Sequence, residues 1–105
     1  MTKDPQIIAT VKEILDLIKG ISPGKSVELR VPPYGAIQCV AGSNHRRGTP
    51  PNTVEMSGQT LVMLVNEPSL WAAFCESGEV RASGLLSDLS DVFVQVAVKY
   101  RAQSS

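Results

Sequence analysis

The chain has 105 residues, with ten basic and ten acidic side chains and one histidine, so its formal net charge is zero. That length suits one compact domain with its own core, and residues 1–105 are expected to fold as a single domain. A neutral balance supplies no long-range field toward nucleic acid or an anionic surface, and no apolar run approaches the roughly 20 residues that span a bilayer; neither a nucleic-acid partner nor an integral membrane segment is expected.

The opening MTKDPQ lacks the basic, apolar and small-residue succession of a secretory signal, so a cytoplasmic location is expected. In that compartment Cys39 and Cys75, distant in sequence and without CxxC spacing, are expected to remain thiols.

Ile7, Val11, Ile14, Leu15 and Ile18 recur at steps of three and four, which predicts an amphipathic helix over residues 4–19. Asp4 can cap its free amides, Pro5 suits its first turn, and Gly20 can close it in a left-handed conformation. The period then changes to two. Val27, Leu29 and Val31 alternate with Glu28 and Arg30 as in a half-buried strand, and Pro32-Pro33-Tyr34-Gly35 reads as the turn that ends it. AIQCVAG is expected as a second strand and TVEM as a third, with the GTPPN segment between them and His45 at a hairpin tip.

From Gly58 the pattern is helical again, with Leu61, Leu64 and Val65 on one side. NEP breaks it. Asn66 or Glu67 can cap a further segment with Pro68 in its first turn, where Leu70, Trp71 and Phe74 share a face until Gly78 stops the helix. EVRASG reads as a short strand with Val80 and Ala82 inward and Arg81 outward. LLSDLSDVFVQVAVKY supports two readings. Leu86, Leu89, Val92, Phe93, Val96 and Tyr100 fit a helix, whereas Val92, Val94, Val96, Val98 and Tyr100 alternate as a β-branched strand. The cap-rich start favours the helix, and the final RAQSS is expected to fray.

The segment HRRGTPPNTVEM holds the only histidine and an arginine pair. His45, Arg46 and Arg47 could clamp an anion, but the same stretch is also a recipe for a solvated turn. As a catalytic base His45 has no nucleophile in a recognisable context, so no catalytic residue is assigned. One histidine and two isolated cysteines make no metal set, and the scattered glycines form no nucleotide-binding motif; no metal and no cofactor are expected. Arg30, Arg46, Arg47 and Arg81 lack the interleaved aromatics of a nucleic-acid platform. Leu61, Met63, Leu64, Trp71, Phe74, Phe93 and Val96 form a bulky apolar set that, on composition, belongs to the core.

RVPPYGAIQCVAG at 30–42, HRRGTPPNTVEM at 45–56, the central Trp71 and SGEVRASGLLSDLSDVF at 77–93 together resemble the sterol carrier protein family, the non-specific lipid-transfer fold, and within it the short bacterial orthologue branch. The resemblance implies an α+β fold: a mixed, mainly antiparallel sheet of four to five strands, helices packed on one face, and an apolar tunnel between. Four strands are read from the residues themselves. The run DVFVQVAVKYR departs from the branch, whose segment after DLS is usually shorter and ends in a Leu-Pro-like turn.

In function, the resemblance implies non-enzymatic binding, and intracellular transfer, of an apolar small molecule such as a fatty acid, acyl-CoA or sterol-like lipid. On that reading Leu61, Leu64, Trp71, Phe74, Phe93 and Val96 line the cavity and Arg47 meets an acidic head group. The competing reading is a protein-interaction or dimerisation domain with a filled core, and a homodimer stays open under both. An enzyme using His45 is the third.

Overall fold

The computed structural model describes residues 4–42 and 52–104. Helix α1 spans Ile8–Ile21 and buries Val11, Ile14, Leu15 and Ile18, the stripe its spacing predicts. Its ends differ from expectation. The Asp4 carboxylate accepts from the Gln6 amide at 2.9 Å, which closes a separate turn before the helix proper begins. Gly20 lies inside the helix, which continues through the half-buried Ile21 and ends where the Ser22 amide donates to the Ile18 carbonyl at 2.9 Å. Packing Ile21 against the core outweighs the roughly 1 kcal/mol that a helical glycine costs.

Strands β1 (Val27–Val31), β2 (Gly35–Cys39), β3 (Asn52–Met56) and β4 (Val80–Ser83) form one mixed sheet in the order β2-β1-β3-β4. β1 and β2 are antiparallel and joined by the proline turn, whose Tyr34 amide donates to the Val31 carbonyl at 2.8 Å. β3 runs parallel to β1, with Val27 opposite Asn52 and Leu29 opposite Val54. The hairpin expected between the second and third strands is therefore corrected: those strands flank β1 on opposite sides. The end of β2 and the start of β3 both lie beside Val27, Cys39 on one side and Asn52 on the other, so the parallel partners β1 and β3 are joined through β2. The order follows from burial. β1 buries Val27, Leu29 and Val31 completely and takes the centre, while the poorer inner face of Gly35, Ile37 and Cys39 takes an edge.

β4 pairs antiparallel with β3 at the other edge. Val80 is buried as expected, but Ala82 on this edge strand is exposed although its register with Val54 sets it on the inner face.

Helix α2 (Gly58–Asn66) starts at Ser57, whose side chain accepts from the Thr60 amide at 3.1 Å. A single 3₁₀ turn at Pro68–Leu70 leads into α3 (Trp71–Ser77), which ends at Gly78 with φ 87°.

The ambiguous C-terminal stretch is helix α4 (Ser90–Ser104), entered through Asp88, whose carboxylate accepts from the Ser90 amide at 2.9 Å. Val92, Phe93, Val96 and Ala97 are buried while Val94 and Val98 are exposed, a division with helical period. The tail expected to fray stays helical through Ser104, and Arg101 donates to the Asn66 carbonyl at the end of α2. α1, α2 and α4 pack on one another, and their apolar faces meet Val27, Leu29, Val31, Val54 and Met56 of the sheet in one continuous core.

Candidate ligand-binding site

Residues expected to line a cavity come from three consecutive helical elements. Leu61 and Leu64 lie three positions apart on the buried face of α2, and Phe93 and Val96 repeat that spacing on α4; all four are fully buried. The 3₁₀ turn after α2 leads directly into Trp71, which at 7% exposure belongs to the same layer. Its ring meets Phe93 with centroids 5.9 Å apart and planes tilted by 33°, a favourable aromatic contact. Leu61, Leu64, Trp71, Phe93 and Val96 thus belong to one apolar layer between helices and sheet. Phe74, one turn beyond Trp71, is half-buried at its periphery. Arg47, like His45 and Arg46, lies outside the described residues.

One residue central to the architecture was not singled out from the sequence. Asn52, at 4% exposure, donates from Nδ2 to the Ser26 carbonyl at 2.8 Å, and its Oδ1 accepts from the Leu86 amide at 3.0 Å. One amide therefore ties the start of β1, the start of β3 and the loop after β4. Gly84 fits against it: a Cβ there would stand 2.2 Å from Asn52 Oδ1, and its φ of 108° already favours glycine. Asn52, the last residue of RGTPPN, thus meets the VRASGLLSDLS segment through Gly84 and Leu86. The available signal was that both runs end in turn-forming residues, which marks loops without saying which loops touch.

The opposite face of the sheet is polar. Ala36, Arg30, Glu55 and Arg81 stand in one cross-strand row, with Arg30 paired to Glu28 at 3.0 Å and Arg81 paired to Glu55. Arg30 and Arg81, two candidates for nucleic-acid contact, are thus matched by carboxylates on their own face. Two open grooves of about 390 and 590 Å³ cross this row and share Arg30 and Glu55. Neither groove is lined by the residues expected to hold a ligand.

The thiols are not activated. Burial pushes Cys39, which is fully enclosed, up to about 11, and burial together with the charge of Asp88 raises Cys75. Both directions keep the protonated form at neutral pH, opposite to what a nucleophile needs. Asp88 itself is lowered, by side-chain and backbone hydrogen bonding to Ser90. Among the described residues no group of three or more His, Cys, Asp or Glu side chains could hold a metal ion.

A mixed four-stranded sheet with α1, α2 and α4 enclosing an apolar layer on one face is a sterol-carrier-type α+β fold, and a solved structure of the UbiJ-SCP2 ubiquinone synthesis protein superposes with a TM-score of 0.54 at 17% identity, over 96% of this chain and 97% of that one. The sterol carrier protein domain 2 of Helicoverpa armigera aligns at 16% identity and a TM-score of 0.48, over 93% of this chain and 95% of that one. No curated protein sequence matches. The family model described as bacterial SCP ortholog matches residues 4–94, and the chain belongs to that family. At 17% identity the UbiJ-SCP2 structure establishes the fold alone; the resemblance carried by the three sequence segments and Trp71 is borne out by the family match.

Proposed function

We propose that residues 1–105 form one cytoplasmic sterol-carrier-like domain that binds an apolar small molecule between helices and sheet and transfers it, without catalysing a reaction. The observation that carries this reading is the single apolar layer that joins Leu61, Leu64, Trp71, Phe93 and Val96 in a chain of the sterol carrier family. Phe74 stands at its rim, and Arg47 is the residue proposed to meet an acidic head group. The two cysteines, neither in a disulfide, suit a reducing compartment.

The energetics suit a carrier. Burying about twelve methylenes at about 0.8 kcal/mol each gives on the order of 10 kcal/mol before the cost of ordering the ligand, enough for micromolar binding to a fatty acid, an acyl-CoA or a sterol-like lipid. Because Leu61, Leu64, Phe93 and Val96 are fully buried, entry requires the helical layer to part from the sheet.

Native mass spectrometry of the freshly purified protein, with organic extraction and identification of released lipid, tests this directly. Near-stoichiometric lipid, lost on Phe93→Ala with the fold retained, is the expected result. An empty protein that also rejects fatty acids, acyl-CoAs and sterols in a titration read by Trp71 fluorescence sinks the reading.

A further inference from the structure

Helix α4 has two apolar faces, of which the core uses one. Val94 and Val98 project from the other at 52% and 65% exposure. They border an open groove of about 580 Å³ with Ile21, Gln95, Lys99 and Ala102. An isolated exposed valine needs no explanation, but two on successive turns beside a third apolar side chain form a stripe.

The ends of that stripe are charged in opposite senses. Asp91, Val94, Val98 and Arg101 follow spacings of three, four and three, the pattern of a two-heptad seam, and Asp91 and Arg101 lie in the first and last turns of α4. The seam is its own complement when reversed: Asp91 exchanges with Arg101, and Val94 with Val98. Two copies packed antiparallel about a two-fold axis would set Val94 against Val98 of the partner subunit and Asp91 against Arg101 of the partner subunit, twice over. A parallel arrangement would oppose like charges at both ends. An anionic lipid surface would meet a carboxylate at one end of the seam, and so fits less well.

Arg101 can serve this contact. It is exposed and donates from Nη2 to the Asn66 carbonyl at 3.3 Å, and a guanidinium with five N–H donors retains others for a carboxylate. We propose that the exposed face of α4 is an isologous homodimer contact, in which the seam Asp91, Val94, Val98 and Arg101 pairs antiparallel with the same seam of a second copy.

The contact is small. Ten helical steps span about 15 Å, and a face of that length falls short of the roughly 1,200 Å² of a stable interface, so the dimer is weak and forms only at high protein concentration. The buried faces of both helices stay in their own cores, which makes the proposal independent of whether the protein binds lipid.

Sedimentation velocity of the full chain, from about 10 μM to about 1 mM, tests it. The expected result is a sedimentation coefficient that rises toward the dimer value with concentration. Asp91→Arg should weaken association by about tenfold or more, and adding Arg101→Asp should restore it. Both exchanges oppose the α4 dipole, so recovery in the double variant cannot come from a stronger helix. Val98→Gln, a change at a solvent-facing helical position, should also abolish association while circular dichroism stays unchanged. A chain that remains monomeric at about 1 mM, or associates equally well after Asp91→Arg or Val98→Gln, overturns the proposal.

Discussion

Replacing Asn52 with alanine should be among the most damaging polar-to-alanine changes in the molecule. The substitution removes two hydrogen bonds, of 2.8 and 3.0 Å, and leaves the Ser26 carbonyl and the Leu86 amide without that partner. Ser26 is 4% exposed, so its carbonyl loses close to the full value of a buried group, about 1–3 kcal/mol. Leu86 is 39% exposed, and water can partly replace Asn52 at its amide, so the second loss is smaller.

A total of about 2–4 kcal/mol follows, a large share of the roughly 5–15 kcal/mol that holds a small domain folded. Urea unfolding followed by Trp71 fluorescence and by circular dichroism measures it, with a thermal midpoint expected to fall by roughly 10–20 °C. Asn52→Asp separates the two bonds, because an ionised carboxylate can still accept from Leu86 but cannot donate to Ser26. Its folded pKa should therefore rise above the unfolded value. The stability it retains should be fully present below the unfolded pKa and lost as pH rises through the folded one. If Asn52→Ala costs under about 1 kcal/mol, or Asn52→Asp shows no recovery in acid, the idea that this amide holds three segments together is wrong.

Two further outcomes follow from packing and burial. A Cβ on Gly58 would stand 2.6 Å from Tyr34 Cε2, and Tyr34 is itself held by accepting at its hydroxyl from the Asp4 amide at 2.8 Å, so Gly58→Ala should cost about 1–2 kcal/mol net of its better helix propensity. A thermal midpoint that rises instead would show that the ring yields freely. For Cys39, the folded thiol is raised to about 11 from an ordinary value of 9.0, so the fold should lose stability as pH rises between those values, by up to about 3 kcal/mol. Urea midpoints collected across that range should fall more steeply for the native chain than for Cys39→Ala, and parallel slopes would contradict this assignment.

The elements easiest to read in the sequence were those whose apolar period is unbroken. Val11, Ile14, Leu15 and Ile18 mark one face of a helix, and Val27, Leu29 and Val31 one face of a strand, before any partner is known. The same property misled at β3. Turn residues between two strands suggest a hairpin, yet pairing depends on which edge of β1 is open, and no local pattern records that. Ala82 shows a related limit: alternation gives the side of the sheet that a residue faces, but not whether anything covers it. At the C-terminus the β-branched run fitted two periods, and the core settled the matter by accepting Phe93 and Val96 while leaving Val94 and Val98 outside.

The candidate site divides along the same line. That Leu61, Leu64, Trp71, Phe93 and Val96 would be buried together could be inferred from their bulk and spacing. Whether such a set surrounds a ligand or fills its own space depends on the separation of layers, which periodicity does not encode. Asn52 was illegible for a different reason: a polar residue after two prolines looks like a surface turn until its partners, distant in the chain, are placed around it.

The central strand also has a consequence for how the chain reaches its native state. One edge of β1 is filled by a neighbour in sequence, with Val31 opposite Gly35, but the other waits for a distant segment, with Val27 opposite Asn52. Closing a short turn is fast, whereas a long-range parallel pairing must first overcome loop-closure entropy. The hairpin of β1 and β2 can therefore assemble early as a two-stranded ribbon with one bare flank. Until β3 docks there, that flank is a template for any extended chain nearby, and the rate of β3 docking sets how long a newly made molecule is open to mispairing with its neighbours.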